Sequence, residues 1–143
     1  TDFVENFLSY MCFIILPSFV ARDKPDKKIR QAVAVLDSEG FDVKLVYKMV
    51  GHLEFVELGI KMTSLYLDIL TFSLGQLILI NANYATKMAL DFARPLWGEL
   101  MGRVVALSGN KYRWKAELKR LLPEDAIPPW YGGSKDFKPL VVC

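Results

Sequence analysis

The sequence predicts an α/β fold, and three observations lead there. Short apolar runs rich in valine, isoleucine and leucine occur three times, at Ile29–Leu36, Gln76–Ile80 and Arg103–Leu107. Each is followed by a longer segment whose apolar residues recur in steps of three and four, the period of a helix. The short runs barely alternate, which is the pattern of strands covered on both faces. Strand, helix, strand, helix, strand, helix is an α/β pattern, a largely parallel sheet flanked by helices with right-handed crossovers.

Thr1–Ala21 is apolar and of helical length, with Pro17 set to kink or end it. Arg22–Lys28 is charged, carries Pro25 and reads as a surface connector. Ile29–Leu36 is the first strand, closed by the turn residues Asp37-Ser38-Glu39-Gly40. Val43–Phe72 carries Leu45, Val46, Met49, Val50, Leu53, Val56, Ile60, Leu67 and Leu70 at helical steps, with Gly51 and Gly59 as places where it can split. Gln76–Ile80 is the second strand. Tyr84–Leu100 is a helix with one broad apolar stripe (Tyr84, Ala85, Met88, Ala89, Phe92, Ala93, Leu96, Trp97), interrupted near Pro95. Arg103–Leu107 is the third strand. Lys111–Leu122 is an amphipathic helix with Trp114, Leu118, Leu121 and Leu122 on one face, stopped by Pro123. The tail Ile127–Gly133 is rich in turn residues.

The chain has 143 residues, 52% of them hydrophobic, and reads as one domain over residues 1–143. Lys and Arg number 18 against 16 Asp and Glu, a net charge of +2, which does not suggest a nucleic-acid partner. Cys12 and Cys143 make no disulfide framework, which points to a reducing, cytoplasmic setting. No stretch is long and uncharged enough to span a membrane. Asp2 and Glu5 occupy the place of a signal peptide's basic region, and a chain that begins at Thr1 reads as a piece of something longer.

Catalytic signals are sparse. There is no Gly-rich phosphate loop, no nucleophile elbow and no Cys/His cluster for zinc, so neither a cofactor nor a metal is expected. His52, the single histidine, is either a base or a satisfied surface side chain. Asp37 and Glu39 follow a strand at its carboxyl end, where α/β proteins place ligand groups. They are either an acid–base or metal pair, or a polar turn. The stripe on Tyr84–Trp97 is either core or a wall over an apolar cavity. Lys111, Arg113, Lys115, Lys119 and Arg120 form either a solvated face or a contact with anionic lipid, worth roughly 1 kcal/mol per cation near a membrane.

Several motifs then fall in register. They are Asp37-Ser38-Glu39-Gly40, Asn81-Ala82, Arg94-Pro95-Leu96, Gly109-Asn110-Lys111-Tyr112, Leu118, and Ile127-Pro128 with Tyr131-Gly132-Gly133. Together they resemble the CRAL-TRIO lipid-binding domain, over roughly residues 27–133. Asn83 stands where that pattern has proline, and the pattern's N-terminal helices and first strand have no recognisable counterpart here. The resemblance implies an apolar cavity floored by a mixed sheet and closed by a gate helix, here Tyr84–Trp97. It implies a membrane-peripheral carrier, not an enzyme, for a phospholipid, isoprenoid or retinoid- or tocopherol-like molecule. The residues expected to touch lipid are Tyr84, Met88, Phe92, Leu96 and Trp97 on the gate, with Val33, Val35, Ile78 and Ile80 on the strands, where parity is a choice between two faces. On that assignment Phe92→Asp abolishes lipid binding. The alternative is a protein-interaction or regulatory domain with a vestigial pocket. A small enzyme using Asp37, Glu39 and His52 is the third possibility.

Overall fold

The computed structural model describes residues 21, 23–28 and 31–138. The expected helix over Thr1–Ala21 with its Pro17, and both cysteines, fall outside the described residues, Ala21 excepted. The elements run β1 (Ala32–Asp37), α1 (Val43–Gly51), α2 (Leu53–Ser73), β2 (Leu74–Ala82), α3 (Tyr84–Trp97), a 3-10 segment (Gly98–Arg103), β3 (Val104–Ser108), α4 (Lys111–Leu121) and two short 3-10 turns, Glu124–Ala126 and Pro129–Tyr131. The long helical run divides at His52, beside Gly51, one of the two glycines that mark it as divisible. Pro95 sits in the last turn of α3 and leaves the helix intact to Trp97.

The three strands form one sheet in the order β1-β2-β3, and both pairings are parallel. Val33 pairs with Gln76 and Asp37 with Ile80, while Leu77 pairs with Val104 and Leu79 with Ala106. The CRAL-TRIO resemblance implies a mixed sheet; among the described residues both strand pairings are parallel. Each connection is therefore a helical crossover, as parallel strands require. The molecule is an α/β fold with a three-stranded parallel sheet flanked by helices.

One face of the sheet carries Val35, Ile78, Ile80 and Leu107, which pack with Trp114, Leu118 and Leu121 of α4 and with Ile127 and Tyr131 of the tail. Ile78, Ile80, Leu118 and Ile127 are the largest fully buried side chains among the described residues. The other face is covered by α3, with α1 and α2 packed beside it.

The helix starts are locally determined. Asp42 accepts the Leu45 amide at the start of α1, at 2.8 Å. Asn83 and Thr86 form a reciprocal capping box on α3, and Asn83 Nδ2 also donates to the Phe41 carbonyl at 2.7 Å. That bond ties the start of α3 to the β1–α1 loop. Asn110 caps α4 by accepting from the Tyr112 and Arg113 amides. Arg103 donates to the Thr71 and Leu74 carbonyls, closing the negative end of α2 with a cation.

Candidate functional site

Two pockets adjoin at the carboxyl end of β1. The first is an open recess of about 370 Å³ between the sheet and α3, with Leu36 of its floor half exposed. Its floor is Leu36, Leu77 and Leu79; its roof is Thr86, Ala89, Leu90, Ala93 and Trp97; the β1–α1 loop closes one side with Ser38 and Phe41. Ala89 and Ala93, four residues apart on α3, contribute only methyl groups to this roof. The lining is almost wholly apolar, and the Thr86 hydroxyl is already engaged with Asn83 in the helix cap. The volume is at the small end of the range of ligand sites, roughly 300–1,000 Å³.

The strand residues expected to touch lipid lie away from this recess. Val35, Ile78 and Ile80 point to the α4 side and belong to the packed core, while Val33 is exposed near the start of β1. Leu36, Leu77 and Leu79 face the pocket instead. The stripe on α3 is also rotated by about one residue. Trp97, one of the residues assigned to the gate, lines the recess, together with Ala89 and Ala93 of the stripe. Tyr84 and Phe92 turn outward, 70% and 49% exposed; Met88 and Leu96 are half-buried outside the pocket lining.

The second pocket, about 300 Å³, is polar and lies at the ends of β1 and β2 toward α4. Asp37, Glu39 and Asn81 form one side, Lys111 and Lys115 the other, with Trp114, Trp130 and Tyr131 between. Asp37 Oδ1 accepts from Asn81 Nδ2 at 2.8 Å and from the Glu39 amide at 2.9 Å, and its Oδ2 accepts from the Tyr131 hydroxyl at 3.0 Å. Asn81 uses its other amide atom to accept from Trp114 Nε1 at 2.9 Å. Its backbone is left-handed, at φ 54°, a conformation asparagine tolerates better than most residues. Desolvation pushes the Asp37 carboxyl up, but the bonds from Asn81, Glu39 and Tyr131 and the charge of Lys111 together hold it below the usual carboxylate value. The Tyr131 phenol is held above its ordinary value by burial, and further by its bond to Asp37 and the charges of Asp37 and Glu39.

Of the residues weighed for catalysis, Asp37 and Glu39 come together here, while His52 lies at the α1–α2 junction, outside this lining. Among the described residues no group of His, Cys, Asp or Glu could hold a metal ion, and no helix is long and apolar enough to cross a membrane. The cations of α4 are largely engaged. Lys119 pairs with Glu124 at 3.1 Å, Arg120 with Glu117 at 2.9 Å and Lys111 with Glu39 at 3.8 Å, while Lys115 Nζ stands 5.7 Å from the Trp114 ring centroid. Arg113 has no ion pair among the described residues. Sequence reasoning passes over Trp130, Asn81 as a bonded hub, and the bond between Tyr131 and Asp37. The only signals are Asn-Ala at a strand end and a Trp-Tyr-Gly-Gly turn.

The fold and its pockets thus define an α/β protein with an apolar recess under one helix. Comparison with family models and with curated proteins finds no match to this chain.

Proposed function

We propose that this protein is a carrier of a single-chain or ring-and-chain hydrophobic lipid, held under α3, and that it performs no chemistry on its cargo. The observation that supports it is the apolar recess roofed by Ala89, Ala93 and Trp97 over Leu36, Leu77 and Leu79. A solidly packed sheet–helix interface has no such space, since interiors pack to about the density of organic crystals. The CRAL-TRIO resemblance points the same way, with α3 as its gate. A carrier needs no activated nucleophile or base. It needs a cavity, a door and a membrane-facing surface.

That surface lies on the pocket side in this reading. Lys44 and Lys48 on α1 and Lys87 in the first turn of α3 are exposed and have no ion pair among the described residues. Tyr47 and Tyr84 stand exposed on the same two elements, 64% and 70%. Aromatic rings interleaved with unpaired cations suit an anionic lipid surface. The paired cations of α4, across the sheet from the pocket, suit it less well.

Organic extraction of the purified chain, followed by mass spectrometry, tests the reading. A stoichiometric lipid is expected from the wild type, and Ala93→Trp, which fills the recess, should be recovered folded and empty. If the two preparations carry the same lipid, or neither carries any, the carrier reading is wrong.

A further inference from the structure

The polar pocket at the strand ends holds more unspent binding capacity than a structural knot needs. Asp37 is a fixed anion: three donors anchor it, yet no lysine or arginine lies within ion-pair distance of it among the described residues. Lys115 is a positioned cation: its stem packs along Gly132, its ammonium sits by Trp114, and it too lacks a carboxylate among the described residues. The Lys111–Glu39 ion pair at this pocket is long at 3.8 Å and about two-thirds exposed on both sides, so a ligand displaces it at little cost. Trp130 is 66% exposed although its loop is fixed by Pro128 and Pro129 and its ring meets Tyr131 and Phe137 edge to face. A rigid indole held out in water beside fixed charges of both signs is a ready platform for an organic cation.

The geometry points to this pocket as a second binding site, for a small zwitterion that joins an alkylammonium to a phosphate or carboxylate. The ammonium would lie by Trp130, Tyr131 and Asp37. The anionic end would meet Lys115 and the released Lys111. A simple cation would be opposed by the two lysines, and a simple anion by Asp37 and Glu39. Only a ligand carrying both charges matches the whole lining. The site stands on the α4 side of the sheet and does not depend on the lipid reading.

Calorimetric titration of the full chain with phosphocholine, choline chloride and inorganic phosphate provides the test. Phosphocholine is expected to bind more tightly than either half alone. Trp130→Ala and Lys115→Gln should each weaken it about fivefold or more, with unchanged circular dichroism. Equal or absent binding of the three probes, or wild-type affinity in both variants, overturns the assignment. Phosphatidylcholine vesicles distinguish the source of the zwitterion. Trp130-dependent binding to vesicles as well as to phosphocholine assigns a lipid head, and binding to phosphocholine alone assigns a free solute. Phosphocholine binding by a chain that yields no extracted lipid keeps this site and defeats the carrier; extracted lipid with no zwitterion preference does the reverse.

Discussion

Single residues carry much of the fold's specificity at the tail. A methyl group on Gly133 would collide with the backbone carbonyl of Ile127, so no side chain fits there. Gly133→Ala is expected to cost about 3 kcal/mol, read as a lowered urea midpoint with unchanged slope. Tyr131→Phe removes one donor to an ionised carboxylate and should cost about 1 kcal/mol, discounted for partial exposure. The same pair sets a pH window. Asp37 titrates lower when folded, so its contribution is present above the unfolded carboxyl value of roughly 3.9 and is lost as pH falls through the lower folded value. Tyr131 titrates higher when folded, so its contribution is present below roughly pH 10 and is lost as pH rises through the raised value. Tyr131→Phe should therefore flatten both flanks of a stability-versus-pH curve; flanks identical to wild type would show that the pair is energetically silent. None of this is legible in order along the chain. Asp37 and Tyr131 are 94 residues apart, and only the fold brings them together.

At the scale of the element, the type and order of strands and helices can be read, and the orientation of each cannot. Val33-Ala34-Val35-Leu36 and Leu77-Ile78-Leu79-Ile80 are apolar at every step; Leu77–Ile80 of the central strand are buried on both faces, whereas Val33 and Leu36 of β1 stay exposed. A strand with no alternation reveals no parity. On α3 the apolar residues come in adjacent pairs every four residues, a stripe wide enough to rotate by one residue without burying a charge. The burial of Ala85 and Thr86, fixed by the cap at Asn83, chooses the rotation. Two expectations follow. Asn83→Ala loses both the cap and the bond to Phe41 and should cost about 1–2 kcal/mol, seen as a lower thermal midpoint. Phe92→Asp, expected on the gate assignment to abolish lipid binding, places a charge on the outer side of α3, where Phe92 is 49% exposed, and should leave lipid recovery near wild type, in contrast to Ala93→Trp.

For the whole molecule, the sheet divides two kinds of interior. The α4 side is filled by Ile78, Ile80, Trp114, Leu118 and Ile127, and the α3 side keeps a recess. Both helical layers are announced by the sequence, but not which of them is solid, since packing density depends on how two faces meet and not on the composition of either. If α1 and the start of α3 meet membranes, Lys44→Glu combined with Lys87→Glu should reduce sedimentation with anionic vesicles several-fold, with the difference from wild type narrowing as salt rises. Charge reversal at Lys119 and Arg120, which are already paired, should change it far less.

Ile127 comes near the end of the described chain, yet it is among the fully buried large side chains and seals the inner side of β2 with α4. During synthesis the N-terminal parts of a domain emerge first. Here the two βαβ units leave the ribosome with a bare greasy surface where Ile127 and Tyr131 will later sit. This face cannot close until the Ile127–Tyr131 segment has itself emerged.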